Sequence, residues 1–284
     1  MIKTGYTSLL LTLAMTIPAY GEGVEIGVNS AVKGSVTLKS ADQEAAQARI
    51  KEPVYLGDEI DSKLLSSLQI LLKDKTTFTV GSNAKLTIDE FIYDPKKDSN
   101  KFTADVKRGM FRFMSGNVSK NNPNDVTINT PTSSLGIRGT MFEAIVGPEA
   151  LLCAKKEGVL LPGVDIDHNG ATLIVLRGPG EQSNSSERKG EIQVTSAGKT
   201  VTLNKSGSAT LVSNKNYGPS EPFFISEQLF NYFNRHLRTV PKGDENFMPF
   251  EIEPRLIRPD LKIEDEEGLI PYNPNEDLDL PRIE

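Results

Sequence analysis

Tryptophan is absent from the 284 residues, cysteine occurs once and histidine twice. A lone Cys153 has no partner for an internal disulfide, so stability has to come from a buried core. The thiol reads most simply as a small packed hydrophobe, with an intermolecular bridge or a reactive thiol as alternatives. His168 and His236 are far apart and lack ligand spacing, which argues against zinc chemistry. No apolar run reaches the ~20 residues that a membrane helix needs. A nucleophile elbow, a phosphate loop and a dinucleotide fingerprint are all missing, so catalysis has no motif to stand on. Carboxylate pairs that meet only in space stay open. The net charge of −6 and the scatter of basic residues make nucleic acid an unexpected partner.

What is present begins at the N-terminus. Lys3 precedes an apolar stretch at 9–17 and a small-x-small triplet, Ala19-Tyr20-Gly21, the pattern of an export signal over residues 1–21. No cysteine lies near that site for lipoprotein processing, and no aromatic strand closes the sequence as in an outer-membrane barrel. The expectation is a periplasmic or secreted protein with no membrane anchor once the leader is removed.

Between residues 24 and 213 the hydrophobic period is two. Phe102, Ala104 and Val106 alternate with polar neighbours, as do Phe78 and Val80, Leu86 and Ile88, Ile192 and Val194, and Val201 and Leu203. Such alternation buries one face of a strand. Short segments punctuated by Gly, Asn, Asp and Ser predict an all-β domain over 22–215, a sandwich, barrel or short solenoid of mostly antiparallel strands. Residues 39–50 read equally as strand or short helix. Within 216–240, Leu229, Phe230, Phe233 and Leu237 form one helical stripe, capped by Ser226 or Ser220 and closing one end of the β core. Residues 148–170 and 179–190 read as long loops. From 242 to 284 there are 5 Lys and Arg against 13 Asp and Glu, leaving the remainder of the chain at +2. With seven prolines, this 241–284 tail reads as an acidic, largely disordered segment whose apolar islands dock on the body or on a partner.

The densest signal is Asn129-Thr130-Pro131-Thr132-Ser133-Ser134-Leu135-Gly136-Ile137-Arg138-Gly139-Thr140-Met141-Phe142. Pro131 cannot donate to a ladder, so a strand should end there. Gly136 and Gly139 bracket Arg138 in what reads as a turn. Upstream stand Val54-Tyr55-Leu56-Gly57-Asp58-Glu59-Ile60 and Lys107-Arg108-Gly109-Met110-Phe111, and downstream Leu173-Ile174-Val175-Leu176-Arg177-Gly178. In order and spacing these pieces resemble the periplasmic FecR-type domain, the ligand-signal relay module of bacterial envelope proteins. The resemblance runs from about Gly34 to Val212, with its core at 54–147, and is sharpest at 136–140. The family's Asp-Gly hairpin is replaced by Asp74-Lys75, which predicts a connection longer than a type I′ turn. The archetypal member also places a cytoplasmic anti-sigma segment and a membrane helix before this domain, and adds an α/β subdomain. Here an export leader stands directly before it and no counterpart of the subdomain is evident after 240, so relay across the inner membrane by this chain alone is not expected.

The resemblance implies a non-enzymatic module of the envelope that recognises a protein or a cell-surface polymer through loops and open sheet edges. Arg138, with Gly136, Gly139 and Thr140, would grip an anionic partner, or else act as an internal clamp on an acid such as Asp58. Gly57, Asp58, Gly109 and Pro131 read as framework. Asp165-Ile166-Asp167-His168-Asn169-Gly170 matches half a calcium loop, with Asp165, Asp167 and Asn169 as ligands. The twelfth position is Leu176, so Glu157 or Glu181 would have to complete it. No cofactor other than calcium is suggested. A calcium-stabilised adhesive surface module and a glycan-active enzyme are the competing readings.

Overall fold

A computed structural model describes residues 23–41, 43–97, 100–120, 125–159, 163–178 and 190–238. The export leader, the acidic tail, Glu181 and most of the 179–190 insert lie outside the described residues. The strands form two sheets. The first runs, edge to edge, β4 (Pro53–Tyr55), β1 (Glu25–Lys33), β6 (Ser67–Leu72), β7 (Thr77–Val80), β9 (Lys101–Met114), β12 (Met141–Val146), β13 (Thr172–Gly178), β16 (Ser208–Val212) and β17 (Phe223–Phe224). The second runs β3 (Ala46–Gln47), β2 (Val36–Lys39), β5 (Glu59–Ser62), β8 (Lys85–Ile92), β9 again, β10 (Val126–Asn129), β11 (Ser134–Arg138), β14 (Glu191–Ser196) and β15 (Lys199–Leu203). All these pairs are antiparallel except β9 with β10.

One strand therefore serves both sheets. Up to Arg108, β9 pairs with β8 and β10; from Gly109 onward it pairs with β12 and β7. The switch falls on Gly109, whose φ is +88°. A Cβ there would sit 2.3 Å from Ala84 Cα, so backbone packing and dihedral both exclude a side chain.

The inner faces of the two sheets meet in a single apolar core. Phe78, Phe111, Phe113 and Phe142 come from the first sheet, and Phe102, Ile128, Leu135, Ile137 and Val194 from the second. Phe102 and Phe113 bridge the layers with centroids 5.4 Å apart, and Phe78 stacks on Phe111 at 5.6 Å. The alternating segments of the sequence supply this face, and the all-β sandwich is what they assemble.

A second core covers the outer face of the first sheet. Helices α1 (Pro148–Lys156) and α2 (Glu227–His236) place Ala150, Cys153, Ala154, Leu229, Tyr232 and Phe233 against Met110, Ile145, Leu173, Val175 and Leu211. Strands β12 and β16 are consequently buried along their whole length. α2 matches the predicted stripe, and Ser226 is its cap, accepting the Leu229 N–H at 3.3 Å. Ser220 instead donates its N–H to Leu211 and bonds Thr210. α1 corrects the reading of 148–170 as a loop: proline opens the helix, where its fixed φ is suitable and its missing N–H is not needed. Residues 39–50 hold the end of β2 and the short β3 rather than a helix. At Asp74 the Leu72 N–H reaches the Thr76 carbonyl at 2.9 Å, closing a three-residue hairpin with Lys75 at φ +71°. That is longer than a type I′ turn, as the missing Asp-Gly indicated.

Candidate functional site

The 129–142 run divides into a stitched loop, a strand and a corner. β10 stops at Asn129, and Pro131 lies outside the ladder. The Thr130 N–H donates to the Ser133 carbonyl at 2.8 Å, and the Ser133 N–H returns to Thr130 Oγ1 at 3.0 Å. Thr132 Oγ1 donates to the Gly170 carbonyl at 2.9 Å, which ties this loop to the 167–172 turn.

The chain then re-enters the second sheet. Gly136 is a mid-strand residue of β11, opposite Thr127 on one side and Gln193 on the other. This corrects the picture of two glycines bracketing a turn. Arg138 ends the strand opposite Glu191, with Nη2 2.9 Å from Oε2. The other Glu191 oxygen accepts from Gln193 Nε2 at 2.9 Å. Asp58 is not the partner of Arg138: it is buried and accepts from the Tyr55 N–H (2.9 Å) and Ser40 Oγ (2.5 Å). Gly139, at φ +49°, turns the chain from β11 in the second sheet to β12 in the first. Nothing lies within 4 Å of where its Cβ would be, so the left-handed backbone alone favours glycine there. Thr140 fixes the corner by donating its N–H to Ser115 Oγ and its hydroxyl to the Gly178 carbonyl, both at 3.0 Å. Gly57 stands at the equivalent passage from β4 to β5, donating its N–H to the Ile88 carbonyl at 2.9 Å.

The residues of the half calcium loop are engaged within the chain. Asp167 Oδ1 accepts the N–H groups of Asn169 (3.1 Å) and Gly170 (2.9 Å), and Asp165 Oδ2 accepts from Asn214 Nδ2 at 3.4 Å. Glu157 lies elsewhere, at the end of α1, where it receives the Ser226 N–H (2.7 Å) and hydroxyl (2.6 Å). Among the described residues no three His, Cys, Asp or Glu side chains converge as a metal site. Cys153 is buried in the helical layer, and burial, aided by Glu149 and Glu157, pushes its thiol up, away from the reactive thiolate.

Sequence reasoning missed one constellation. Beneath α2, the buried Glu143 receives Arg112 Nε (2.8 Å) and Nη2 (2.5 Å) on one oxygen, while Arg177 Nη1 lies 2.8 Å from the other. Arg177 also donates to Asn234 Oδ1 at 3.0 Å and lies 3.8 Å over the Phe230 ring. Burial lowers Arg177 to about 10 against the pull of Glu143, so it remains charged at neutral pH. The available signal was a lone acid in the apolar strand Met141-Phe142-Glu143-Ala144-Ile145-Val146.

Residues 58–158 match the family model described as FecR protein, a span from β5 to the end of α1 that contains Gly109 and the 136–140 corner. Over that span the chain is similar to a FecR-type domain. Outside that match, β1 to β4 and β13 to β17 complete the two sheets of this chain. No curated protein matches the chain. Two crystal structures of a candidate anti-sigma factor from Parabacteroides distasonis, at 1.65 and 2.50 Å resolution, are similar at 12% identity and a TM-score of 0.39. The alignments cover 62% of this chain and 64% and 63% of those chains, so it spans less than two thirds of their length. At that level the likeness carries no functional argument.

Proposed function

We propose that this chain is an exported, non-enzymatic relay module of the bacterial envelope that works by binding a protein partner. The observation that carries the reading is the FecR match over the corner motif. FecR-type families are regulatory rather than enzymatic, and their domains are usually periplasmic. The export pattern at residues 1–21 supports the same compartment. The geometry of the motif supports binding elsewhere than at the motif itself. Gly57, Gly109 and Gly139 stand where the chain passes between sheets, and Arg138 is neutralised by Glu191. Recognition then falls to the surfaces this framework holds apart, the loops and sheet edges, and an envelope protein fits them better than a polymer because an edge recognises backbone.

The test is photo-crosslinking of the full chain in envelope extract, with excess unlabelled chain as competitor. The expected result is one protein that is cross-linked reproducibly and competed away. Failure to retain any protein, or turnover of peptidoglycan by the purified chain, would overturn the reading.

A further inference from the structure

Two sheets that share a central strand leave four edges, and three of them are guarded. β4 has three residues and begins with Pro53, β3 has two, and β17 has two and follows Pro222. Shortness and proline protect an edge against unwanted pairing. β15 has neither. Its five residues, Lys199-Thr200-Val201-Thr202-Leu203, pair with β14 in unbroken register and contain no proline and no charge beyond Lys199. No strand among the described residues pairs with its other side. Thr200 and Thr202 are exposed, while Val201 is only half covered where it packs on the core.

The electrostatics of this edge differ from those of the rest of the second sheet. On β8 and β9, Lys85 pairs with Glu59 at 2.7 Å and Lys101 with Glu90 at 3.0 Å. Around β15 the exposed Lys199, Lys205 and Lys215 form no ion pair among the described residues. Lys205 lies two residues past the end of the strand. Lys215 belongs to the turn whose Tyr217 carbonyl accepts Ser196 Oγ at 2.8 Å, beside the start of the strand.

We propose that β15 is the docking edge of this module, and that its occupant is an extended segment of a partner protein, apolar and β-branched at alternate positions and carboxylate-bearing at both ends. The proposal rests on the relay reading and deepens it by naming the surface. Main-chain hydrogen bonds to the free side of β15 supply affinity. Every second side chain of the incoming strand completes the cover over Val201, which selects apolar residues. The terminal positions meet unpaired lysines, which selects carboxylates and rejects cations.

The probe is the blocked heptapeptide acetyl-Glu-Thr-Val-Thr-Ile-Thr-Glu-amide, whose carboxylates share a face with its apolar residues as Lys199 does with Val201, titrated into the full chain at low salt. Saturable binding is expected, weakened about tenfold when both Glu are replaced by Lys in the peptide, or when Lys199→Glu and Lys205→Glu are combined in the protein. A peptide N-methylated on alternate residues should not bind, and it tests the main-chain bonds without altering the protein. Absence of binding, equal binding of the N-methylated or Lys peptides, or dimerisation through β15 that the peptide does not displace would each overturn the proposal. If the cross-linked envelope partner is captured equally by the Lys199→Glu/Lys205→Glu variant, the edge is refuted while the relay reading stands. If no partner is captured, the relay reading fails and the peptide titration still decides the edge.

Discussion

The two faces of the first sheet are built on different principles. Toward the second sheet it presents Phe78, Phe111, Phe113 and Phe142, an apolar set held by burial and ring packing. Toward the helices it presents Met110, Ile145, Leu173 and Val175, but also the Arg112–Glu143–Arg177 triad. Apolar burial is non-directional, so the inner face gains from any close fit. A buried ion cluster gains little net energy and is costly when incomplete, so its effect is to specify geometry. Arg177 touches Glu143, Asn234 and Phe230 together, which leaves α2 one position on the sheet. The inner face thus supplies stability and the helix face supplies placement.

Disrupting the inner face should be the most costly change. Phe113→Ala removes a ring packed on Phe78, Phe102 and Phe142 and should cost about 3–5 kcal/mol in urea unfolding. A loss below about 1 kcal/mol would mean that this face repacks freely, and the contrast would fail. On the helix face, Glu143→Gln leaves two arginines without their anion and should cost about 3 kcal/mol. The triple replacement Arg112→Met, Glu143→Leu, Arg177→Met should return to within about 1 kcal/mol of the parent. Were the triple variant as unstable as Glu143→Gln, the triad would be a source of stability rather than of placement.

Smaller changes are expected within the helical layer. Ser226→Ala removes the α2 cap and the 2.6 Å bond to Glu157, and thermal unfolding should show a loss of about 1–2 kcal/mol. Glu149 belongs to the helical layer, where burial raises its carboxyl from 4.5 to about 7. The native state therefore binds this proton more tightly than the unfolded chain. The contribution is complete below pH 4.5 and is lost as pH rises through about 7. Glu149→Gln should flatten that slope and raise stability at pH 8 by about 1 kcal/mol, read as urea midpoint against pH. An unchanged slope would remove Glu149 as its cause.

The sequence disclosed the strands that have one wet face. Phe102, Ala104, Val106, Leu86 and Ile88 alternate because the outer face of the second sheet meets solvent. β12 and β13 lack a clean alternation for the converse reason. With the sandwich on one side and helices on the other, β12 is buried at every position and has no polar beat to reveal its period. α1 lay inside a span read as loop, although proline at its start was a usable mark. α2 was legible because its stripe and Ser226 are local signals. Arg138 was legible as a motif residue but not in its pairing: Glu191 lies 53 positions away and meets it only through the β11–β14 register.

The strand common to both layers has a mechanical consequence. Residues 101–114 are bonded into each sheet along one uninterrupted backbone, so the layers are prevented from sliding over one another. Shear, one of the ways packed elements rearrange on receiving a ligand, is closed to this sandwich. An event at one rim meets a stiff plank, and any response has to travel through loops, border strands or the helices resting on top.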